Sequence, residues 1–242
     1  RAYYKLWEIL CKYENDFKLF ENKTPMRFAG LAEAPGGFIQ CLVDYRQNKN
    51  DDLTGISLKD AVGNKIDWKS NWLMENKNIQ LIFGDEKKGH DGNLYNPDII
   101  NYYCNYYKNK KADLVTSDGG FLLHGMEENH KGQYHNQLFL SETYIALRIL
   151  KNGGHFIMKN YDIVNKGMLD IITILNKVFS IAFVISKCSI LLGWMPSPYL
   201  YLGFFILFLF INSLITEFKS INASYDSSFS IIHLEYVFRT LL

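Results

Sequence analysis

The sequence predicts an α/β protein: a mainly parallel sheet with helices on both faces. Short apolar runs of strand composition alternate with amphipathic stretches of helical period, and a glycine-rich turn follows the first run. Acidic residues or a lysine close the later runs. In sheets of this kind ligands bind outside the carboxyl ends of strands, so those closing residues are the candidate functional groups.

The elements follow in order. Residues 2–13 place Tyr3, Leu6, Trp7, Leu10 and Tyr13 near i, i+3, i+4, i+7 spacing, a helix with Lys5 on its flank. A strand over 26–32 leads into the turn Glu33-Ala34-Pro35-Gly36-Gly37-Phe38, and a helix is expected over 38–45. Gly55–Leu58 reads as the second strand. The polar stretch 59–77, with Trp68 and Trp72, reads as an irregular insertion. Ile79–Phe83 is the third strand and ends at Gly84-Asp85.

Asn96 and Pro97 supply an N-cap and a first helical proline, opening a helix to about Lys108. Leu114–Thr116 is a strand whose end delivers Asp118. A polar loop carrying Asn129, His130, Gly132 and His135 then leads into a helix from Asn136 to Lys151, stopped by Asn152-Gly153-Gly154. Phe156–Met158 is the next strand, closed by Lys159. Met168, Ile171, Ile172, Leu175, Val178 and Phe179 mark a further helix before a strand over 181–186.

At 242 residues and 48% hydrophobic content, one domain with a sizeable core is the economical arrangement. A net charge of +1, from 26 basic and 25 acidic residues, excludes binding through a global positive field, so nucleic-acid contact would need a local patch. The four cysteines lack CxxC or Cys/His ligand spacing, which implies buried thiols in a reducing, intracellular and most simply cytoplasmic setting, with no metal site. Arg1 follows no methionine and no charged-then-apolar leader, so a fragment of a longer product without a signal peptide is expected.

Gly36 and Gly37 remove the Cβ obstruction between a ligand and backbone amides. The turn has neither the Lys-Ser/Thr ending of a phosphate loop nor a full GxGxxG, and Asp85 would accept from an adenine amino group, so an adenosyl ligand without triphosphate is favoured. A lysine acts as a general base when burial or a second cation disfavours its charged form. Lys5 beside Lys159, with Asp118 between them, would meet that need; Lys159 would then deprotonate a ribose hydroxyl for attack on an activated methyl group. Singly, these residues have ordinary readings: a solvated strand-end lysine, a plain Asp-Gly-Gly turn, a surface lysine on a helix.

Together, in this order over residues 1–187, the segments resemble the FtsJ-like family of RNA ribose 2′-O-methyltransferases. The resemblance implies a Rossmann-like S-adenosylmethionine-dependent methyltransferase fold with a mainly parallel seven-stranded sheet. It implies Lys5, Asp118 and Lys159 as catalytic residues. Leu31, Glu33, Ala34, Pro35, Gly36, Gly37, Phe38, Asp85 and Asp118 would contact S-adenosylmethionine. Glu33 and Phe38, with the long segments 45–77 and 87–96, suit the branch acting on capped mRNA, which makes RNA the expected partner; ribosomal or transfer RNA is the alternative substrate. The family's fourth catalytic residue is a glutamate at the last strand, where this chain has Pro198, and nothing acidic follows until Glu217. That departure motivates the rival reading of a non-catalytic binding module.

No charged residue occurs from Cys188 to Thr216. The apolar run 199–215 would form a last antiparallel strand over 199–208 with a packing helix or subunit contact; a 17-residue membrane span is the second reading and an altered reading frame the third. The expected division is a core over 1–187 and a divergent apolar segment over 188–242.

Overall fold

A computed structural model describes residues 2–17, 24–59, 68, 72, 75–120, 128–160 and 166–179. The chain divides into two compact units, Arg1–Ile174 and Leu175–Leu242, and the sheet lies in the first. Helix α1 (Ala2–Phe17) precedes β1 (Arg27–Leu31), α2 (Gly37–Arg46), β2 (Asp52–Ile56) and β3 (Ile79–Leu81). A 3₁₀ turn (Glu86–Lys88), α3 (Pro97–Tyr106), β4 (Ala112–Ser117), α4 (Glu128–Ile149), β5 (Leu150–Met158) and α5 (Lys166–Val178) follow. The five described strands run in the order β3-β2-β1-β4-β5, every neighbour parallel. The strands expected at 181–186 and 199–208, the boundary at 187 and the apolar segment lie outside the described residues. Among the described residues no helix is long and apolar enough to cross a membrane.

β1 is buried along its whole length, as a central parallel strand covered on both faces must be. One face carries α1 and α2, where Leu6, Leu10, Phe38, Ile39 and Leu42 pack over Phe28, Leu53 and Leu114. Beneath α3 is a small polar cluster. Thr54 Oγ1 lies 2.7 Å from the Tyr103 hydroxyl and 2.6 Å from that of Tyr107, and the Tyr107 hydroxyl donates to the Phe28 carbonyl at 3.0 Å. Buried hydroxyls that satisfy one another avoid the desolvation cost of an orphan.

A buried ion pair ties α2 to the start of the sheet. Arg46 Nε donates to Asp51 Oδ2 at 2.6 Å and Arg46 Nη2 to Asp51 Oδ1 at 2.9 Å, while that same Oδ1 accepts from the Met26 amide at 2.8 Å. The Arg46 and Asp51 side chains are 0% and 3% exposed, so neither charge has water to fall back on. Next to it, Arg27 Nε donates to Asp52 Oδ2 at 2.6 Å and the Arg27 amide to Asp113 Oδ2 at 2.6 Å, linking three adjacent strand starts.

These clamps explain one difference from the sequence reading. The second strand is 52–56, not 55–58: Asp52 at its start is committed to Arg27, and Asp51 just before it to Arg46. The expected polar loop through His130 and His135 is instead the first part of α4, since a polar run suits the early turns of a helix as well as a loop. Asn152-Gly153-Gly154 does not follow a helix end: it lies inside β5, where Gly153 takes φ +75° and the pairing register with β4 shifts. β3 is shorter than expected. The Asn96 cap holds, its Oδ1 accepting from the Asp98 amide at 2.9 Å.

Asp51→Ala would remove the carboxylate that accepts two bonds from the buried Arg46 guanidinium, which also donates to the Thr24 carbonyl at 2.8 Å, and it is expected to lower unfolding free energy by about 3–5 kcal/mol in urea titration.

Candidate functional site

The sheet order reverses direction between β1 and β4: from β1 the chain winds outward through β2 to β3, and from β4 it winds the other way to β5. A crevice opens at such a switch point because the following segments leave on opposite sides. The described residues that directly follow β1, β4 and β5 stand at that end of the sheet. Backbone bonds hold them in register: the Asp118 amide donates to the Leu31 carbonyl at 3.1 Å and the Lys159 amide to the Ser117 carbonyl at 2.9 Å.

After Leu31 the chain turns sharply. Ala32 and Gly36 take left-handed φ of 51° and 95°, and the Gly36 amide closes the turn on the Glu33 carbonyl at 2.7 Å. Glu33 points inward and caps α2, its Oε1 accepting from the amides of Phe38 at 2.7 Å and Ile39 at 3.1 Å. The cap comes from a residue four before the helix, since the adjacent Gly36 has no side chain to offer. Gly37 answers to packing: a Cβ there would sit 3.0 Å from Ala2 Cβ and 3.2 Å from the Tyr3 amide nitrogen, so α1 leans directly on the turn.

Lys159 Nζ donates to the Asp118 carbonyl at 2.7 Å and forms an ion pair with Asp118 Oδ1. These side chains are only 17% and 11% exposed. A mostly buried lysine held by the carbonyl and carboxylate of one residue, at the carboxyl ends of β4 and β5, can transfer a proton at a bound hydroxyl.

Two further carboxyl groups lie beside this pair. Glu33 and Glu142, on α4, are fully buried, and burial pushes each up to about 8. For Glu33 the amides of Ile39 and Phe38 oppose burial, Asp118 adds to it and Lys159 opposes it. For Glu142 the opposition comes from Ser117, Lys159 and Gly119, and Asp118 again adds to the rise. Among the described residues, Glu33 Oε2 and both oxygens of Glu142 have no partner in ordinary hydrogen-bond geometry.

The structure brings Asp118, Lys159 and the Leu31–Phe38 turn together. Lys5 is half-buried one turn along α1 from Ala2, and among the described residues the ion pair at Asp118 is made by Lys159, not Lys5. Asp85 follows β3 at the outer edge of the sheet, where its Oδ1 caps the 3₁₀ turn by accepting from the Lys87 amide at 3.0 Å. Pro198 and Glu217 lie outside the described residues. Sequence reasoning missed Glu142. Its signal was present: Leu138, Glu142, Ile145 and Ile149 fall on one buried helix face, where a lone acid is out of place.

The residues fit an adenosyl cofactor. The turn sits at the switch point, keeps a left-handed glycine, and leaves a buried Glu33 oxygen facing no protein donor among the described residues. Strand order, turn and strand-end residues together define a Rossmann-like methyltransferase fold. The chain belongs to the FtsJ-like methyltransferases, whose family model matches residues 1–189. It is 27% identical over 140 residues to the cap-specific mRNA (nucleoside-2′-O-)-methyltransferase 1 of Mus musculus, covering 56% of this chain and 16% of that protein. To the enzyme of the same name from Drosophila melanogaster it is 24% identical over 165 residues, 67% of this chain and 20% of the other. The chain thus spans about a fifth or less of these relatives' length. A crystal structure of a putative ribosomal RNA methyltransferase from Plasmodium falciparum shares the fold with a TM-score of 0.54 at 22% identity, covering 77% of this chain and 90% of that one.

The raised carboxyls set the sign of a pH effect on stability. Each folded value, about 8, exceeds the ordinary carboxyl value near 4.5, so folding takes up protons between them. Their contribution is fully present below about 4.5 and is lost as pH rises through about 8. Glu33→Gln keeps an acceptor for the α2 amides and cannot ionise. It is expected to melt above the wild type at pH 8.5 and level with it at pH 4.5 or below, read by thermal denaturation.

Proposed function

We propose that this chain transfers a methyl group from S-adenosylmethionine to the ribose 2′-hydroxyl of the first nucleotides of capped mRNA. Membership of the FtsJ-like methyltransferases supports the chemistry, and the cap-specific names of the curated relatives support the substrate. The observation that carries the reading is the Asp118–Lys159 ion pair beside the Glu33-capped turn. RNA is the partner in this reading and the cytoplasm its setting; Cys41 and Cys104 are free and buried as expected, whereas Cys11 is free but exposed.

Leu31, Glu33–Phe38 and Asp118 would hold the cofactor's methionine and ribose side, and Asp85 its adenine. S-adenosylmethionine, when bound, supplies a methyl group already activated on sulfur. Lys159 Nζ, as the neutral amine, would take the proton of the 2′-hydroxyl as the ribose oxygen bonds to the methyl carbon and the methyl–sulfur bond breaks, with S-adenosylhomocysteine as the leaving group, and would then pass that proton to solvent. Asp118 orients Nζ through its carbonyl and its carboxylate. The bond from the Asp118 amide to the Leu31 carbonyl keeps the base in register with the cofactor turn. Lys5, on the helix that leans on the turn, would help hold the target ribose. A base must be neutral, so the rate is expected to rise with pH until the amine has lost its proton.

Lys159→Ala is expected to lower methyl transfer to capped RNA by at least about a hundredfold while S-adenosylmethionine binding, read by calorimetry, is retained. Transfer at the wild-type rate would remove Lys159 from the chemistry.

A further inference from the structure

We propose that Trp68 is a positioning residue for the cofactor: its indole wedges into a notch shared by β2 and the turn after β1, and holds that turn in the shape that receives an adenosyl ligand. The consequence for affinity rests on the cofactor reading given above; the wedge itself does not.

The notch is built from missing side chains. Gly30 on β1 and Gly55 on β2 stand opposite each other in the parallel register, so their absent side chains fall on the same face of the sheet. A Cβ on Gly30 would lie 2.9 Å from Glu33 Cγ, and a Cβ on Gly55 would lie 2.7 Å from Trp68 Cη2 and 2.9 Å from Ile39 Cδ1. Glycine inside a strand weakens it and marks a place where something approaches the backbone closely. Here the pair admits the Glu33 side chain and the Trp68 ring beside the start of α2. The same ring reaches the turn: a Cβ on Gly36 would meet Trp68 Cε3 at 3.5 Å and Cζ3 at 3.6 Å. One six-membered ring therefore touches strand and turn together.

Trp68 comes from the polar stretch between β2 and β3, yet it is half-buried and packs against the core that holds Phe38 and Ile39. Its Nε1 has no hydrogen-bond partner among the described residues, so packing holds the ring. Other parts of the turn are already gripped. The Glu33 amide donates to the Ile56 carbonyl at 3.2 Å, Glu33 Oε1 caps α2, and α1 lies against Gly37. Gly36 is different: its left-handed φ of 95° is one that glycine enters and leaves with little resistance. Among the described residues, Trp68 is what covers Gly36 on the side where a side chain would stand. The Gly36 carbonyl also accepts from the Gln40 amide at 2.9 Å, so a shift at Gly36 would disturb the first turn of α2. A turn held in its binding shape loses less freedom when the ligand arrives, and so binds more tightly.

The test compares wild type with Trp68→Phe, Trp68→Ala, Gly55→Ala and the combination of the last two. Amide hydrogen exchange without cofactor reads the wedge; calorimetry with S-adenosylmethionine and methyl transfer to capped RNA read its consequence. Exchange across residues 34–40 is expected to quicken in Trp68→Ala, with the amides of β4 unchanged. Affinity for S-adenosylmethionine is expected to fall about tenfold in Trp68→Ala and in Gly55→Ala, whose methyl group drives the ring out, but only about twofold in Trp68→Phe, which keeps a six-membered ring and loses no hydrogen bond. The combined variant is expected to bind no more weakly than Trp68→Ala, because the added methyl then has no ring to displace. The loss appears in KM for the cofactor, with kcat at saturating cofactor retained. A lowered melting temperature with wild-type affinity in folded Trp68→Phe and Gly55→Ala would make the ring ordinary core and overturn the proposal, as would unchanged exchange at the turn. Failure of the wild type itself to bind S-adenosylmethionine would overturn the cofactor reading, and this role with it, even where exchange at the turn quickens.

Discussion

The parallel pairing of β1 with β4 is the interaction on which the site depends. Register is carried one residue beyond the strands by the bond from the Asp118 amide to the Leu31 carbonyl. A strand buried on both faces has to be apolar, so polar function is excluded from its middle and displaced to its carboxyl end. There the chain leaves β1 toward α2 and β2, while β4 leads on toward α4 and β5. One pairing thus supplies a rigid floor and an open edge. Upstream, the buried Arg46–Asp51 pair and the Arg27 contacts fix the amino ends of the same strands, so slippage at one end would break charge pairs at the other.

At the open edge the protein gathers charge that its interior would not otherwise tolerate. Glu33 earns its place structurally by capping α2, yet retains an oxygen without a protein partner among the described residues. Glu142 is likewise fully buried, and Ser117 and the Gly119 amide favour its charged form. Both are held up by burial, and both sense Asp118 and Lys159. Sites that need shifted proton affinities use these means, burial and close charges, and sacrifice stability for them.

How much was legible follows from what each residue does. Asp118 and Lys159 could be read because they close short apolar runs, and strand ends in a parallel sheet converge on one edge. The Glu33-to-Phe38 turn could be read because glycine, proline and the strand before it constrain the backbone. β2 was misplaced because its first residue is an acid serving a buried arginine clamp, a pairing invisible at the level of pattern. Gly37 was assigned to ligand access, whereas its missing side chain admits α1. Asp85 spends an oxygen on a 3₁₀ turn, and Lys5 stands near the turn without touching the pair. Glu142 was hidden because a lone acid within a helix is usually read as solvent-facing, and only the positions of Leu138, Ile145 and Ile149 reveal the face it shares.

The central claim is that this crevice directs a methyl group to one ribose oxygen of capped RNA. The most direct measurement incubates the protein with S-adenosylmethionine and either cap-0 RNA or uncapped RNA of the same sequence, then locates the added methyl by nuclease digestion and mass spectrometry. The account predicts one methyl on the 2′-oxygen of the first transcribed nucleotide of the capped RNA and little on the uncapped strand. A methyl on a base, or equal modification of both RNAs, would contradict it.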